Sequence, residues 1–124
     1  MSSEKFGGRF DHLAIVVDDL QKAVDFYTGF LDFTKVSEVE DKPAGLHVVF
    51  VKRDPLTIEL IKASDGRKEG LNHIAFAVDN LDAELARVEK RGLEITSPKR
   101  VNPKGWELAF FKDEEGVSLQ LIKR

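Results

Sequence analysis

The sequence predicts an α+β fold that uses one βαβββ unit twice. The segment His12–Leu20 (HLAIVVDDL) is answered by His73–Leu81 (HIAFAVDNL), and Thr57–Lys62 (TIELIK) is answered by Ser118–Lys123 (SLQLIK). His12 to His73 and Glu59 to Gln120 are each 61 positions apart. Two separate segments sharing one offset argue for a tandem duplication. Between them, branched apolar runs and one stretch of helical period recur in the same order in each half.

In the first copy, Phe10 to Val17 is rich in branched apolar residues and ends at Asp18-Asp19, which reads as a strand running into a helix cap. Leu20, Ala23, Val24, Tyr27 and Leu31 recur at helical spacing, so a helix is expected over about residues 19–30. Phe33–Val39 is the next strand, broken by Asp41-Lys42-Pro43-Ala44-Gly45, and Leu46–Lys52 follows. Asp54-Pro55 turns the chain back into Leu56–Lys62.

The second copy repeats the plan. Asn72–Val78 meets a cap at Asp79 or Asn80, and Leu81, Leu85 and Val88 mark a helix that stops at Gly92. Leu93–Thr96, Trp106–Phe111 and Val117–Lys123 supply three strands, the last two joined by Asp113-Glu114-Glu115-Gly116. The modules thus span about 9–62 and 71–123 of a single domain, 1–124, with a polar linker at 63–70. A module of about 60 residues is marginal alone, so the copies are expected to share a core or a partner.

With 19 basic and 22 acidic residues the formal charge is −3, too weak and mixed for a nucleic-acid footprint. Cysteine is absent, which excludes disulfides, thiolate metal sites and a cysteine nucleophile. Met1–Gly8 lacks the apolar core of a signal peptide, and no run is long enough to span a bilayer. The expectation is a cytoplasmic protein with no membrane partner.

Strand alternation decides where the polar residues look. If Leu13, Ile15 and Val17 face the helix, His12, Ala14 and Val16 face the other way. Likewise Ile58, Leu60, Leu119 and Leu121 pack beneath the helices, while Glu59 and Gln120 face away. His12, Glu59, His73 and Gln120 are then expected on the non-helical face, paired by an approximate twofold axis.

These residues resemble the vicinal oxygen chelate superfamily, the glyoxalase, bleomycin-resistance and dioxygenase group. The resemblance covers His12 to Leu121 and rests on His12–Leu20 followed by Phe26-Tyr27, on Ile58-Glu59-Leu60, on Asn72–Phe76, and on Phe111–Leu121. It implies a curved, mostly antiparallel sheet around a concave cleft, a homodimer, and one divalent metal ion per site (Ni, Co, Zn, Mn or Fe). Carried over by position, His12, Glu59 and His73 match metal-holding places, and Gln120 stands where most catalytic members have a glutamate. In isomerising members that glutamate also moves the proton. An amide cannot be a general base at neutral pH, so Glu59, its symmetry mate, becomes the candidate base as well as a ligand.

Other positions depart from the best-known activities. Bacterial glyoxalase I holds its glutathione carboxylates with an arginine and an asparagine at places that are Val16 and Ala63 here. The additional acid or base of the epimerases falls near Pro43, which cannot move a proton.

His47 has no counterpart, since position 108 is Leu, and it reads as a pocket or surface residue. Trp106, Phe111 and Lys104 are candidate substrate-binding residues beside it, although buried aromatics more often fill cores. The loop Ser97–Gly105 holds Lys99, Arg100 and Lys104 and would close over an anionic substrate or simply connect two strands.

Two functions remain open. One is a metal-dependent lyase, isomerase or epimerase acting on a small oxygen-rich carbonyl compound. The other is a non-catalytic small-molecule binder of the bleomycin-resistance type, a group that generally lacks metal ligands.

Overall fold

The computed structural model of the chain describes residues 5–64 and 66–124. The reading of Met1–Glu4, and Asp65 of the linker, lie outside the described residues. The element order is β1 (Arg9–Val17), α1 (Leu20–Gly29), β2 (Thr34–Asp41), β3 (Leu46–Arg53), β4 (Leu56–Lys62), β5 (Gly70–Ala77), α2 (Leu81–Lys90), β6 (Ile95–Val101), β7 (Glu107–Lys112) and β8 (Ser118–Lys123). This is βαβββ twice, with mostly antiparallel pairing, as the sequence predicts.

One compact unit spans His12–Asn72. Its strand order is β2-β3-β4-β1, antiparallel except for the parallel β1/β4 pair, where Ala14 lies beside Glu59 and Val16 beside Ile61. Asp19 caps α1, its carboxylate accepting the Lys22 N–H at 3.0 Å. The apolar face of α1 covers Val49, Val51, Ile58 and Leu60, with Ile15 and Val17 packed beside them. A second buried cluster of Ala14, Val16, Val48 and Ile61 lies on the opposite side of the strands. Both parities expected from alternation are therefore present.

The helix ends without using Gly29 as its left-handed residue. Asp32 takes that conformation at φ 64°, and the Phe33 N–H returns to the Tyr27 carbonyl at 2.9 Å. A short polar side chain tolerates this region where a branched one would not.

The other compact unit joins residues up to Asp11 with His73–Arg124. Its order is β5-β8-β7-β6, with β5/β8 parallel and the rest antiparallel. Asn80 caps α2 by accepting the Ala83 N–H at 3.0 Å, and Gly92 (φ 79°) turns the chain out of the helix. Leu81 and Val88 pack against Ala109, Phe111 and Leu121. The N-terminal stretch belongs here: the Gly7 N–H reaches Glu84 at 3.2 Å, Arg9 pairs with Asp79, and Arg124 with Asp11.

Among the boundaries that differ from the sequence expectation are those of β6 and β5. β6 runs on to Val101, through part of the stretch expected as the loop Ser97–Gly105. It is the outermost strand of its unit's order, where Pro98 forfeits no obligatory ladder bond, and the register shifts between Ile95 and Ser97 and between Ser97 and Arg100 absorb the irregularity. β5 begins at Gly70, so the linker is shorter by one residue, and Ser64 and Arg67 form a bridge within it. Among the described residues, no helix is long and apolar enough to cross a membrane.

Candidate functional site

In the first unit, the parallel β1/β4 register brings His12 alongside Glu59: Nε2 of the imidazole lies 3.4 Å from Oε1 of the carboxylate. The side chains are only 5% and 16% exposed, a poorly hydrated setting for a carboxylate. Phe50 stands opposite Glu59 in the β3/β4 register and meets the His12 ring edge-on, centroids 5.5 Å apart at 81°. An acid, an imidazole and an aromatic wall thus share one sheet face, the face opposite α1.

The second unit builds a matching constellation. His73, buried, meets Phe110 edge-on at 5.3 Å and 87°. Phe110 stands opposite Gln120 in the β7/β8 register, and Ala75 flanks Gln120 across the parallel β5/β8 pair. His12–Phe50–Glu59 and His73–Phe110–Gln120 are the same arrangement except for the carboxylate-to-amide exchange. That exchange removes the proton acceptor from the second copy.

The phenylalanines were hidden from the 61-residue echo. Phe50 and Phe110 are separated by 60 positions, because the second hairpin carries one more residue than the first between the paired sites. Position 50 shifted by 61 lands on Phe111, which lies in the α2-side core with Leu121 and is 6% exposed. Strand parity counted from Gln120 is the signal that would have singled out Phe110.

His47 is not brought together with His12 and Glu59. It shares the helix-facing parity of Val49, and its Nε2 lies 2.6 Å from the Glu38 carboxylate. Glu38 also accepts a hydrogen bond from Lys35, and the two donors, Lys35 first, hold its carboxyl below the usual range.

Trp106 stands among cations: Lys104 Nζ lies 4.9 Å and Arg124 Cζ 4.8 Å from its ring. Arg124 makes a bidentate pair with Asp11 at 2.8 and 3.0 Å. That hydrogen bonding holds the Arg124 pKa above its ordinary value. Asp11 is the residue that precedes His12, and neither it nor Arg124 stood out in the sequence, because neither takes part in the echo.

A family model described as the glyoxalase/bleomycin resistance protein/dioxygenase superfamily matches residues 11–110. The chain belongs to that superfamily. Among curated relatives, the mitochondrial methylmalonyl-CoA epimerase of Homo sapiens is 31% identical over 92% of this chain and 73% of its own length. The lactoylglutathione lyase of Escherichia coli O157:H7 is 29% identical over 93% and 92%. Among solved structures, Streptomyces coelicolor methylmalonyl-CoA epimerase superposes with a TM-score of 0.77 at 22% identity, covering 93% of this chain and 96% of that one. That likeness shows the fold of this superfamily member. The named relatives are enzymes, an epimerase and a lyase.

Proposed function

We propose that this superfamily member is a divalent-metal-dependent enzyme that moves the proton next to a carbonyl in a small substrate, by isomerase, epimerase or lyase chemistry. The observation that carries the reading is the Glu59 carboxylate, mostly withdrawn from water and 3.4 Å from the His12 imidazole. The names of the curated relatives support the same class.

His12, Glu59 and His73 would hold the ion. Each offers one ligand atom, giving two imidazole nitrogens and a carboxylate oxygen, a donor set suited to first-row divalent cations. Gln120, buried, would add a neutral and weaker oxygen. When bound, such an ion supplies Lewis acidity toward a substrate oxygen.

Glu59 takes the proton in this reading. It is the acid of the duplicated pair, whereas Gln120 cannot accept a proton at neutral pH. Phe50 and Phe110 exclude water beside the two imidazoles, which strengthens local electrostatics. Trp106 and Lys104, with Arg124, would meet the substrate's anionic end, while His47 and Phe111 take no part because they face the helices. Val16 belongs to an apolar buried cluster with Ala63 packed against it, so a glutathione carboxylate would find no cation there.

Metal analysis of the purified protein should give about one ion per chain, lost in His12→Ala. Thioesters with an acidic α-C–H and hemithioacetals of 2-oxoaldehydes are the substrates to screen in D2O, with α-deuterium uptake read by NMR. Glu59→Gln should keep much of the metal yet lower exchange by about 10²- to 10⁴-fold. Unchanged exchange in that variant would remove Glu59 as the base. A metal-free protein that binds these compounds without exchange would point to sequestration instead.

A further inference from the structure

The second unit contains a pocket of about 420 Å³ between the C-terminal half of α2 and the strands beneath it. That volume falls within the range of about 300–1,000 Å³ in which small-molecule sites are found. Its apolar floor is formed by Phe76, Val88, Phe111 and Leu119. Among the described residues its charged lining is Lys5, Arg87 and Arg91, with no acid.

The N-terminal segment is fitted to this pocket. Phe6 packs edge-on against Phe76, centroids 5.3 Å apart at 84°, and remains 42% exposed. Gly7 gives its N–H to the buried Glu84 carboxylate, which Arg87 holds from the other side at 2.7 Å. A Cβ at Gly7 would stand 2.7 Å from Glu84 Oε2, and one at Gly8 would stand 2.2 Å from the Phe6 ring. Two consecutive glycines therefore let the strand's approach lie against α2 with the Phe6 ring over the pocket.

We infer that this pocket binds an amphipathic monocarboxylate, its aliphatic body against Phe6, Phe76 and Leu119 and its carboxylate toward Lys5 and Arg91. The charges decide the head group. Glu84 neutralises Arg87, and the partial negative charge at the C-terminal end of α2 offsets part of a cation. Arg91 pairs with Glu114 at 3.6 Å, with both side chains about two-thirds exposed, a pairing that a ligand carboxylate can replace at small cost. Lys5 adds a second cation, which leaves a modest positive balance over an apolar floor. That balance suits one carboxylate on a short aliphatic chain and disfavours a cationic ligand.

The test is an NMR titration of the full chain with sodium decanoate and, separately, 1-decanol, following the methyl groups of Val88, Leu93 and Leu119. Decanoate should shift these methyls saturably at one per chain and bind more tightly than the alcohol. Arg91→Glu, a change at an exposed position, should weaken decanoate by about threefold to tenfold and leave decanol unaffected. Phe6→Ala, which also spares the core, should weaken both. Absence of a saturable shift at these methyls would overturn the inference. So would decanol binding as tightly as decanoate, or shifts confined to Val48 and Ile61 in the first unit. Metal content at His12 plays no part in the readout, so this inference and the proposed enzymatic function fail separately.

Discussion

Glu59 and Gln120 occupy equivalent registers, each opposite a phenylalanine, and differ only in carboxylate against amide. Gln120→Glu therefore isolates the value of the missing charge. Without metal, a new carboxylate at a position 8% exposed loses hydration and should lower the melting temperature. With metal, an anionic oxygen replaces a neutral one, and chelator competition should show affinity higher by about 10- to 100-fold, the scale of ligand-environment changes. Equal affinity in the two forms would place residue 120 outside the coordination sphere. At the other face, Glu38 titrates below its ordinary value of 4.5 because Lys35 and His47 bond its charged form. A depressed carboxyl contributes its pairing fully above the unfolded value, and the contribution is lost as pH falls through the lower folded value. The carboxyl resonance of Glu38 should show this low midpoint, and Lys35→Ala should raise it. An unmoved midpoint would assign the shift elsewhere.

At the scale of elements, both helices start at a side-chain cap and both caps were legible from sequence. Asn80→Ala should cost about 1 kcal/mol in urea denaturation, because the Ala83 N–H loses its acceptor at the start of α2. A change within error would mean that water replaces the amide fully. The 61-residue echo located β1, β4, β5 and β8 well because their two-residue alternation is set by burial on both faces. It failed where local chemistry, and not duplication, decides. Pro98 reads as a loop residue but sits on the outermost strand of its unit's order. The left-handed turn after α1 falls on Asp32, a position that neither the echo nor the apolar spacing marks. One extra residue in the second hairpin displaced the aromatic partner from Phe111 to Phe110, so parity from the nearest polar anchor was the better guide.

At the scale of the whole molecule, the proposal requires ligands from both copies to act on one ion. If His12 with Glu59 and His73 with Gln120 were separate sites, His73→Ala would leave the His12 site loaded. One shared ion predicts instead that either histidine variant loses the metal, with the double variant no worse than either single one. The superfamily resemblance implies a homodimer, which sedimentation should register at twice the 14.0 kDa chain mass. Two chains could complete each other's sites or each complete its own. Co-expressing His12→Ala with His73→Ala distinguishes the cases. Sites completed within each chain remain defective in every mixed dimer, and no metal should return. Sites completed between chains would pair intact His12 of one chain with intact His73 of the other, restoring one site in each mixed dimer, and recovery of metal at that level would assign the site to the dimer.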